Sequence, residues 1–302
     1  MLEIQRNKRM MTLMSLLRVK NWIKNGFIFL PAVFSLHLFT PGVISSLLIG
    51  FVSFSFSCSF VYIINDIQDR DRDVLHPRKK LRPIASGKVP IKAAVVWAIV
   101  CFLVAFFLSG FILSNLHFTV LMLVYVGINV AYSLGIKNVP LLELMVVAVN
   151  FVIRVLTGCV IIKDAPSNWI LVVTFFMALF LVVVKRKSEL LQLNHDASEH
   201  RKSLSAYTVS FLNVLIYFSA TITLTSYLLY SMDPEVVRSL NSPYILYSSL
   251  FVLLGLIRYI QISELSLYEG EGDPTTLLFK DVFLGATIGA WVLYLVFILY
   301  VL

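Results

Sequence analysis

The chain has 302 residues, of which 59% are hydrophobic and 14% charged, and its mean hydropathy is +0.86. Soluble domains carry about 25% charged residues, so this composition excludes a soluble enzyme and assigns most of the surface to lipid. The formal net charge of +8 would raise nucleic acid as a partner of a soluble chain, but in a membrane chain it reads as basic loops held at one face, and no nucleic-acid partner is expected.

The basic start, Met1 to Arg9, is followed by apolar Met10 to Leu17 and then by Arg18, Lys20 and Lys24. The apolar part is short for a signal peptide, so residues 1–24 read as an amphipathic helix at the membrane interface. Nine apolar runs follow, at about 25–39, 43–64, 93–113, 118–133, 141–162, 169–184, 211–230, 244–260 and 283–302. Each is near the length that crosses a ~30 Å hydrocarbon core at 1.5 Å per residue. The expected fold is all-α: a single integral membrane domain over 1–302, with residues 25–302 forming a nine-transmembrane-helix bundle. Cys58, Cys101 and Cys159 lie inside the apolar runs without CxxC or histidine spacing, so neither a disulfide framework nor a zinc site is implied.

With nine spans, 22 of the 25 Lys and Arg residues fall on the side of the N-terminus. Basic residues are retained in the cytoplasm, which puts the N-terminus there. Fourteen of the 17 acids share that side. Acids are not sorted by this effect, so their clustering points to a polar site at the cytoplasmic face.

The sharpest constellation is NDIQDRDRDVLHPRKKLRPIASG, residues 65–87, at the end of the second run. In a helix continued past Ile64, Asp66, Asp69 and Asp73 share a face and Asp71 points away. Stacked carboxylates repel, and a hard divalent cation such as Mg²⁺ relieves that repulsion while binding phosphate oxygens. The structural alternative is a solvated helix end neutralised by Arg70 and Arg72. Arg78, Lys79, Lys80 and Arg82 are either a topology signal or, bracketed by Pro77, Pro83 and Gly87, a shaped loop beside the acidic face. His76 reads as solvated or phosphate-adjacent.

After the fourth run come Tyr132, Ser133 and Lys137. Along the fifth, Glu143, Asn150 and Arg154 return to one face and carry a polar stripe into the bilayer, either lining a cavity or tying helices together. Lys185, Arg186, Lys187 and Glu189 follow the sixth run, as cations for phosphate oxygens or as a stop-transfer cluster. After the eighth come Arg258, Tyr259 and EGEGDPTTLLFKD, residues 269–281, which cap the site or form an exposed loop.

The run NDxxDxxxD, here Asn65, Asp66, Asp69 and Asp73, resembles the first aspartate motif of the UbiA-type intramembrane prenyltransferase superfamily. HPxKKxRPIAxG, YSLxxK at residues 132–137, VKR at 184–186 and GDPTxLLxxD resemble one branch of it, the decaprenyl-phosphate phosphoribosyltransferases. The likeness runs from about Arg18, in RVKNWIKN, to Asp281. Two departures from the general prenyltransferase pattern agree with that branch. The loop after the sixth run offers only Asp196 and Glu199 in place of a second DxxxD motif, and Tyr132 and Lys137 are five apart rather than four.

The resemblance implies transfer of 5-phosphoribose from 5-phosphoribosyl 1-diphosphate to a polyprenyl monophosphate, with release of pyrophosphate at the cytoplasmic face of the plasma membrane. It implies Mg²⁺ on Asp66, Asp69 and Asp73 and charge neutralisation by Lys137. Lys24, Asn65, His76, Lys79, Lys80, Arg82, Tyr132, Glu143, Asn150, Arg154, Lys185 and Arg186 are the expected substrate contacts. The alternatives are transfer of a prenyl group from its diphosphate to an aromatic or other small acceptor and, from a different class, a lipid or solute transporter. A transporter should show paired repeats about a midplane site, whereas the acids here crowd one face.

Overall fold

Backbone N–H and C=O groups in hydrocarbon find partners only within the chain, so long apolar runs must become helices. The computed structural model describes residues 2–75, 79–193, 202–269 and 280–301, and these contain helices and no strand. In chain order they are α1 (Leu2–Leu16), a 3₁₀ segment (Val19–Phe29), α2 (Leu30–Phe34), α3 (Val43–Gln68), α4 (Arg70–Leu75), α5 (Ile91–Phe107), α6 (Leu116–Leu134), α7 (Leu142–Ile162), α8 (Asn168–Leu193), α9 (Val209–Met232), α10 (Pro234–Ser239), α11 (Ser249–Glu269) and α12 (Val282–Tyr300). Helix α5 runs on into a π-helical turn at Leu108–Ile112, and a 3₁₀ turn at Pro243–Ser248 leads into α11.

Among the described residues eight helices are long and apolar enough to cross a membrane, and they match the second to ninth predicted runs. The first run, 25–39, differs from a regular spanning helix. It is divided between the 3₁₀ segment and the five-residue α2, and ends in turns where Leu36 has a φ of 61°. Leu30 N–H bonds to the Phe27 carbonyl three residues back. Pro31 then has no N–H to extend an i−4 ladder, so the helical pattern restarts at α2 instead of running through.

The chain divides into two compact units. The first comprises Met1–Val33, His37–Lys137 and Ile153–Ala165. Its core joins Ile28, Leu47, Phe54, Phe118 and Tyr125 to Ile153 and Ile161 of α7. A second cluster packs Leu16 and Leu17 on Ile63, Ile84, Ala98 and Cys101. Gly158 lets α7 lie directly on the 3₁₀ segment, because a Cβ there would stand 2.1 Å from the Ile28 carbonyl oxygen.

The second unit comprises Phe34–Leu36, Asn138–Val152 and Pro166–Leu302. Leu144, Ala148, Phe180, Val183, Leu212, Tyr259 and Leu284 form its main core. A second cluster gathers Tyr227, Tyr230, Ile245, Leu295 and Ile298, with Phe34 edge-on to Tyr230 at 5.9 Å between ring centres. Helix α7 thus gives its first half to one unit and its second half to the other.

Candidate active site

All three motif aspartates belong to the first unit, and each is paired with a cation. Helix α3 continues past the apolar run to Gln68, and Asp69 caps it with φ −89° and ψ 3°, just outside the α region. The chain then re-enters helix at α4, with Asp69 N–H bonded to Asn65 O at 2.9 Å and Asp73 N–H to Asp69 O at 2.8 Å. The near-continuous geometry keeps Asp66 and Asp73 together: both are buried, whereas Asp71 is exposed, as the face argument requires.

Arg82 Nη1 lies 3.0 Å from Asp66 Oδ1 and 2.6 Å from Asp73 Oδ2, so one guanidinium nitrogen bridges two carboxylates. Arg18 Nη2 donates to the same Asp66 Oδ1, and its guanidinium carbon stands 4.9 Å above the centre of the Tyr62 ring. Lys137 Nζ is 2.6 Å from Asp69 Oδ1, and Ser133 Oγ donates to Asn65 Oδ1 at 3.1 Å. Burial pushes the Asp73 carboxyl above its ordinary pKa, and Arg82 opposes that rise.

The expected three-carboxylate cluster is not assembled in this arrangement. Among the described residues no three His, Cys, Asp or Glu side chains are gathered closely enough to hold a metal ion, because Asp69 turns to Lys137 while Asp66 and Asp73 share Arg82. Asp66 and Asp73 nevertheless fit a hard divalent cation. Two carboxylate oxygens already converge on one positive nitrogen, and oxygen donors are what Mg²⁺ takes. The cations that neutralise the motif come from distant segments and not from Arg70 and Arg72, which are exposed.

The basic loop is shaped as the prolines and glycine suggest. Arg82 N–H bonds to Lys79 O at 2.9 Å and Ser86 N–H to Arg82 O at 2.8 Å, and Gly87 closes the turn with φ +75°. Lys79 is half-buried and Lys80 exposed in the adjoining 3₁₀ turn, while Lys24 and Tyr132 are half-buried. His76 lies outside the described residues, as do His195, Asp196, Glu199 and His200 and most of the 269–281 loop.

The polar stripe of α7 splits between the units. Arg154, 4% exposed, belongs to the first. It donates from Nε to Asn25 Oδ1 at 2.8 Å and lies over the Phe54 and Tyr125 rings at 5.4 and 5.2 Å. Asn25 in turn donates to Ser55 Oγ at 2.8 Å. Glu143 and the buried Asn150 belong to the second unit, where Arg186 Nε reaches Glu143 Oε1 and Oε2 at 2.9 and 2.8 Å. Glu143 and Arg154 thus each make interior ties within their own unit.

The third predicted element is corrected too. Helix α8 runs on to Leu193, so Lys185, Arg186, Lys187 and Glu189 are helical and not a loop. Arg186 is 4% exposed, with Glu143 and Glu189 on it, and Lys187 is buried and paired with Glu264 of α11. Two of its three cations are thus neutralised internally, whereas Lys185 is half-buried. Midway along α11, Arg258 pairs with Asp281 at 2.6 Å, and Asp281 caps α12 by accepting from Leu284 N–H at 2.7 Å. Those two bonds hold the Asp281 carboxyl below its ordinary pKa.

Arg18 is the residue that sequence reading missed. It marks the start of RVKNWIKN but gives no local sign that it pairs with an acid 48 residues away.

The model of the UbiA prenyltransferase family matches residues 28–269. A decaprenyl-phosphate phosphoribosyltransferase of Corynebacterium glutamicum is 28% identical over 95% of this chain and 86% of its own length. Enzymes of the same name from Mycobacterium tuberculosis and Mycolicibacterium smegmatis are 29% identical over 91% and 93% of this chain and 90% of their own. Among solved structures, a UbiA homolog from Archaeoglobus fulgidus bound to GPP and Mg²⁺ superposes with a TM-score of 0.65 at 20% identity, over 86% of this chain and 98% of that one. A structure of digeranylgeranylglyceryl phosphate synthase gives 0.62 at 19% identity, over 96% and 98%. With the family model covering most of its length and the same helical fold in its structural neighbours, this chain is a multi-pass membrane protein of the UbiA prenyltransferase family.

Proposed function

We propose that this protein transfers the 5-phosphoribosyl group of 5-phosphoribosyl 1-diphosphate to a polyprenyl phosphate, at the cytoplasmic face of the membrane and with Mg²⁺ as cofactor. The observation that carries the reading is the alternation of acid and base at one helix end: Asp66, Asp69 and Asp73 interleaved with Arg18, Arg82 and Lys137. Such a cluster suits a diphosphate with its counter-cation. The likeness to phosphoribosyltransferases along nearly the whole chain supports this donor over a prenyl diphosphate. Mg²⁺ has been seen with GPP in the Archaeoglobus homolog, and Asp66 and Asp73 are the residues that would hold it here.

When bound there, Mg²⁺ supplies charge stabilisation to the leaving diphosphate. The chain's own residues do the rest. Lys137, Arg82 and Arg18 neutralise diphosphate oxygens as the bond from ribose C1 to the diphosphate oxygen breaks. The new bond forms from a lipid phosphate oxygen to C1, and pyrophosphate carries away the electron pair. The lipid phosphate is anionic at neutral pH, so no general base is required and the task is placement, for which Lys24, Lys79 and Lys80 are the candidate contacts. Ser133, near the end of α6, donates to Asn65, the residue before Asp66, and the adjacent Tyr132 is a further candidate contact.

Purified protein with Mg²⁺, polyprenyl phosphate and 5-phosphoribosyl 1-diphosphate should release pyrophosphate and yield a lipid heavier by one phosphoribosyl unit. No consumption of that donor, together with prenylation of an aromatic acid from a prenyl diphosphate, would overturn the reading.

A further inference from the structure

Arg82 occupies the place that a divalent cation bridging Asp66 and Asp73 would take. Its Nη1 stands 3.0 and 2.6 Å from one oxygen of each, and Mg²⁺ needs those oxygens at about 2.0–2.1 Å. Nitrogen and metal cannot share the position. Arg18 holds the same Asp66 oxygen from the other segment, and two features mark it as more than a surface ion pair. Its backbone is left-handed, with φ 50° and ψ 45°, which a non-glycine residue adopts only at a cost that surrounding contacts must offset. Its guanidinium is also stacked on Tyr62. Both arginine side chains keep partial access to solvent, at 20% and 25%, whereas the carboxylates beneath are nearly closed off at 2% and 4%. The bases thus lie on the solvent side of the cluster and the acids beneath them.

Charge balance then couples the ligands. Two acids and two guanidiniums form a neutral cluster. A divalent cation entering alone must evict Arg82 and leave guanidinium charge uncompensated beside the metal, and a diphosphate entering alone must draw the arginines from acids that are then unpaired in a closed site. Entering together, the cation takes the acids and the diphosphate takes the arginines. Resting on the reading of this site as a metal-diphosphate site, we propose that Arg18 and Arg82 are internal placeholders for the metal that transfer to the donor's diphosphate oxygens as it enters, so that cation and diphosphate bind synergistically and neither binds well alone.

The test is metal binding, not turnover. Mn²⁺ binding to the purified protein is measured by equilibrium dialysis with and without inorganic pyrophosphate, and the Asp66→Asn/Asp73→Asn protein is carried alongside to subtract chelation in solution. Pyrophosphate should tighten Mn²⁺ binding to the native protein by about tenfold or more, within the usual 5- to 150-fold span of coupling between sites. In Arg82→Gln, Mn²⁺ alone should bind more tightly than in the native protein, and most of the synergy should vanish, with Arg18→Gln showing a smaller change in the same direction. Independent binding of the two ligands to the native protein overturns the proposal even if no arginine variant folds, and so does weaker or unchanged Mn²⁺ binding in a folded Arg82→Gln. Pyrophosphate is common to phosphoribosyl and prenyl donors, so a wrong donor assignment leaves these results intact, and failure here leaves the product assay standing.

Discussion

Glu143 and Arg186 form an ion pair in the interior of the second unit, with both carboxylate oxygens within 2.9 Å of Arg186 Nε and exposures of 0% and 4%. It joins α7 to α8 across 43 residues of sequence. Removing one partner of such a pair leaves an uncompensated buried charge and costs about 3–5 kcal/mol, whereas replacing both with apolar groups is often neutral. Glu143→Leu should therefore lower thermal stability in detergent strongly, toward the lower end of that range because Glu189 still faces Arg186 at 2.5 Å. Glu143→Leu/Arg186→Met should recover most of the loss. A double variant no more stable than Glu143→Leu would indicate that Arg186 serves something other than Glu143.

Asp66 and Asp71 test the face argument for the motif. Asp66 is buried under two guanidiniums, while Asp71 is exposed on α4. Asp66→Asn should lower turnover by more than about 100-fold, the scale on which a single electrostatic group at a reacting centre is felt. Asp71→Asn should stay within a few-fold of the native rate, measured at matched Mg²⁺. Equal sensitivity of the two would remove the basis for placing the chemistry on the Asp66 face.

What could be read from sequence follows from range. Eight of the apolar runs needed only local hydropathy, and the helices at 43–68, 91–112 and 142–162 lie within four residues of the expected ends. The aspartate face was legible because helical periodicity persists through Asp69 despite the break there. Lys185 to Glu189 misled because charge following an apolar run resembles a loop. In the structure those charges continue α8 as a helix, with Glu143 43 residues before Arg186 and Glu264 77 residues beyond Lys187. The 25–39 run misled differently. Its composition is mostly apolar, but Pro31 and the turn at Leu36 set its backbone, and hydropathy does not register either.

Gly158 should tolerate no side chain. The α7 backbone meets the 3₁₀ segment so closely that an added Cβ would sit 2.1 Å from Ile28 O and 3.0 Å from Pro31 Cγ. The obstacle is backbone, not the tip of a flexible side chain, so α7 and the 3₁₀ segment must separate, and overpacking of that kind costs about 1–3 kcal/mol or more. The same shift would disturb the Arg154 to Asn25 bond at 2.8 Å, which spans that contact. Gly158→Ala should lower thermal stability, whereas Gly110→Ala, with nothing within 4 Å of the added carbon, should not. Comparable melting of the two variants would contradict the packing.

Asp73 gives a pH dependence whose sign runs opposite to that of most paired carboxylates. Its pKa is raised in the folded protein, with burial as the larger cause and Arg82 only partly offsetting it. The folded state therefore holds this proton to higher pH than the unfolded chain does. The contribution of Asp73 to stability is present below the ordinary aspartate pKa and is lost as pH rises through the elevated folded value. In metal-free protein, Asp73→Asn should remove that loss. Thermal stability at neutral pH should be equal to or above that of the native protein, the difference should shrink as pH falls below the ordinary carboxylate range, and turnover should nonetheless collapse at every pH. Arg82→Gln should act the other way, because it removes the charge that offsets burial, and should widen the window over which stability falls with rising pH. The comparison is made by thermal melts of the three proteins in chelator at a series of pH values. A native protein that gains stability relative to Asp73→Asn as pH rises would reverse the sign and show that Arg82, not burial, governs this carboxyl.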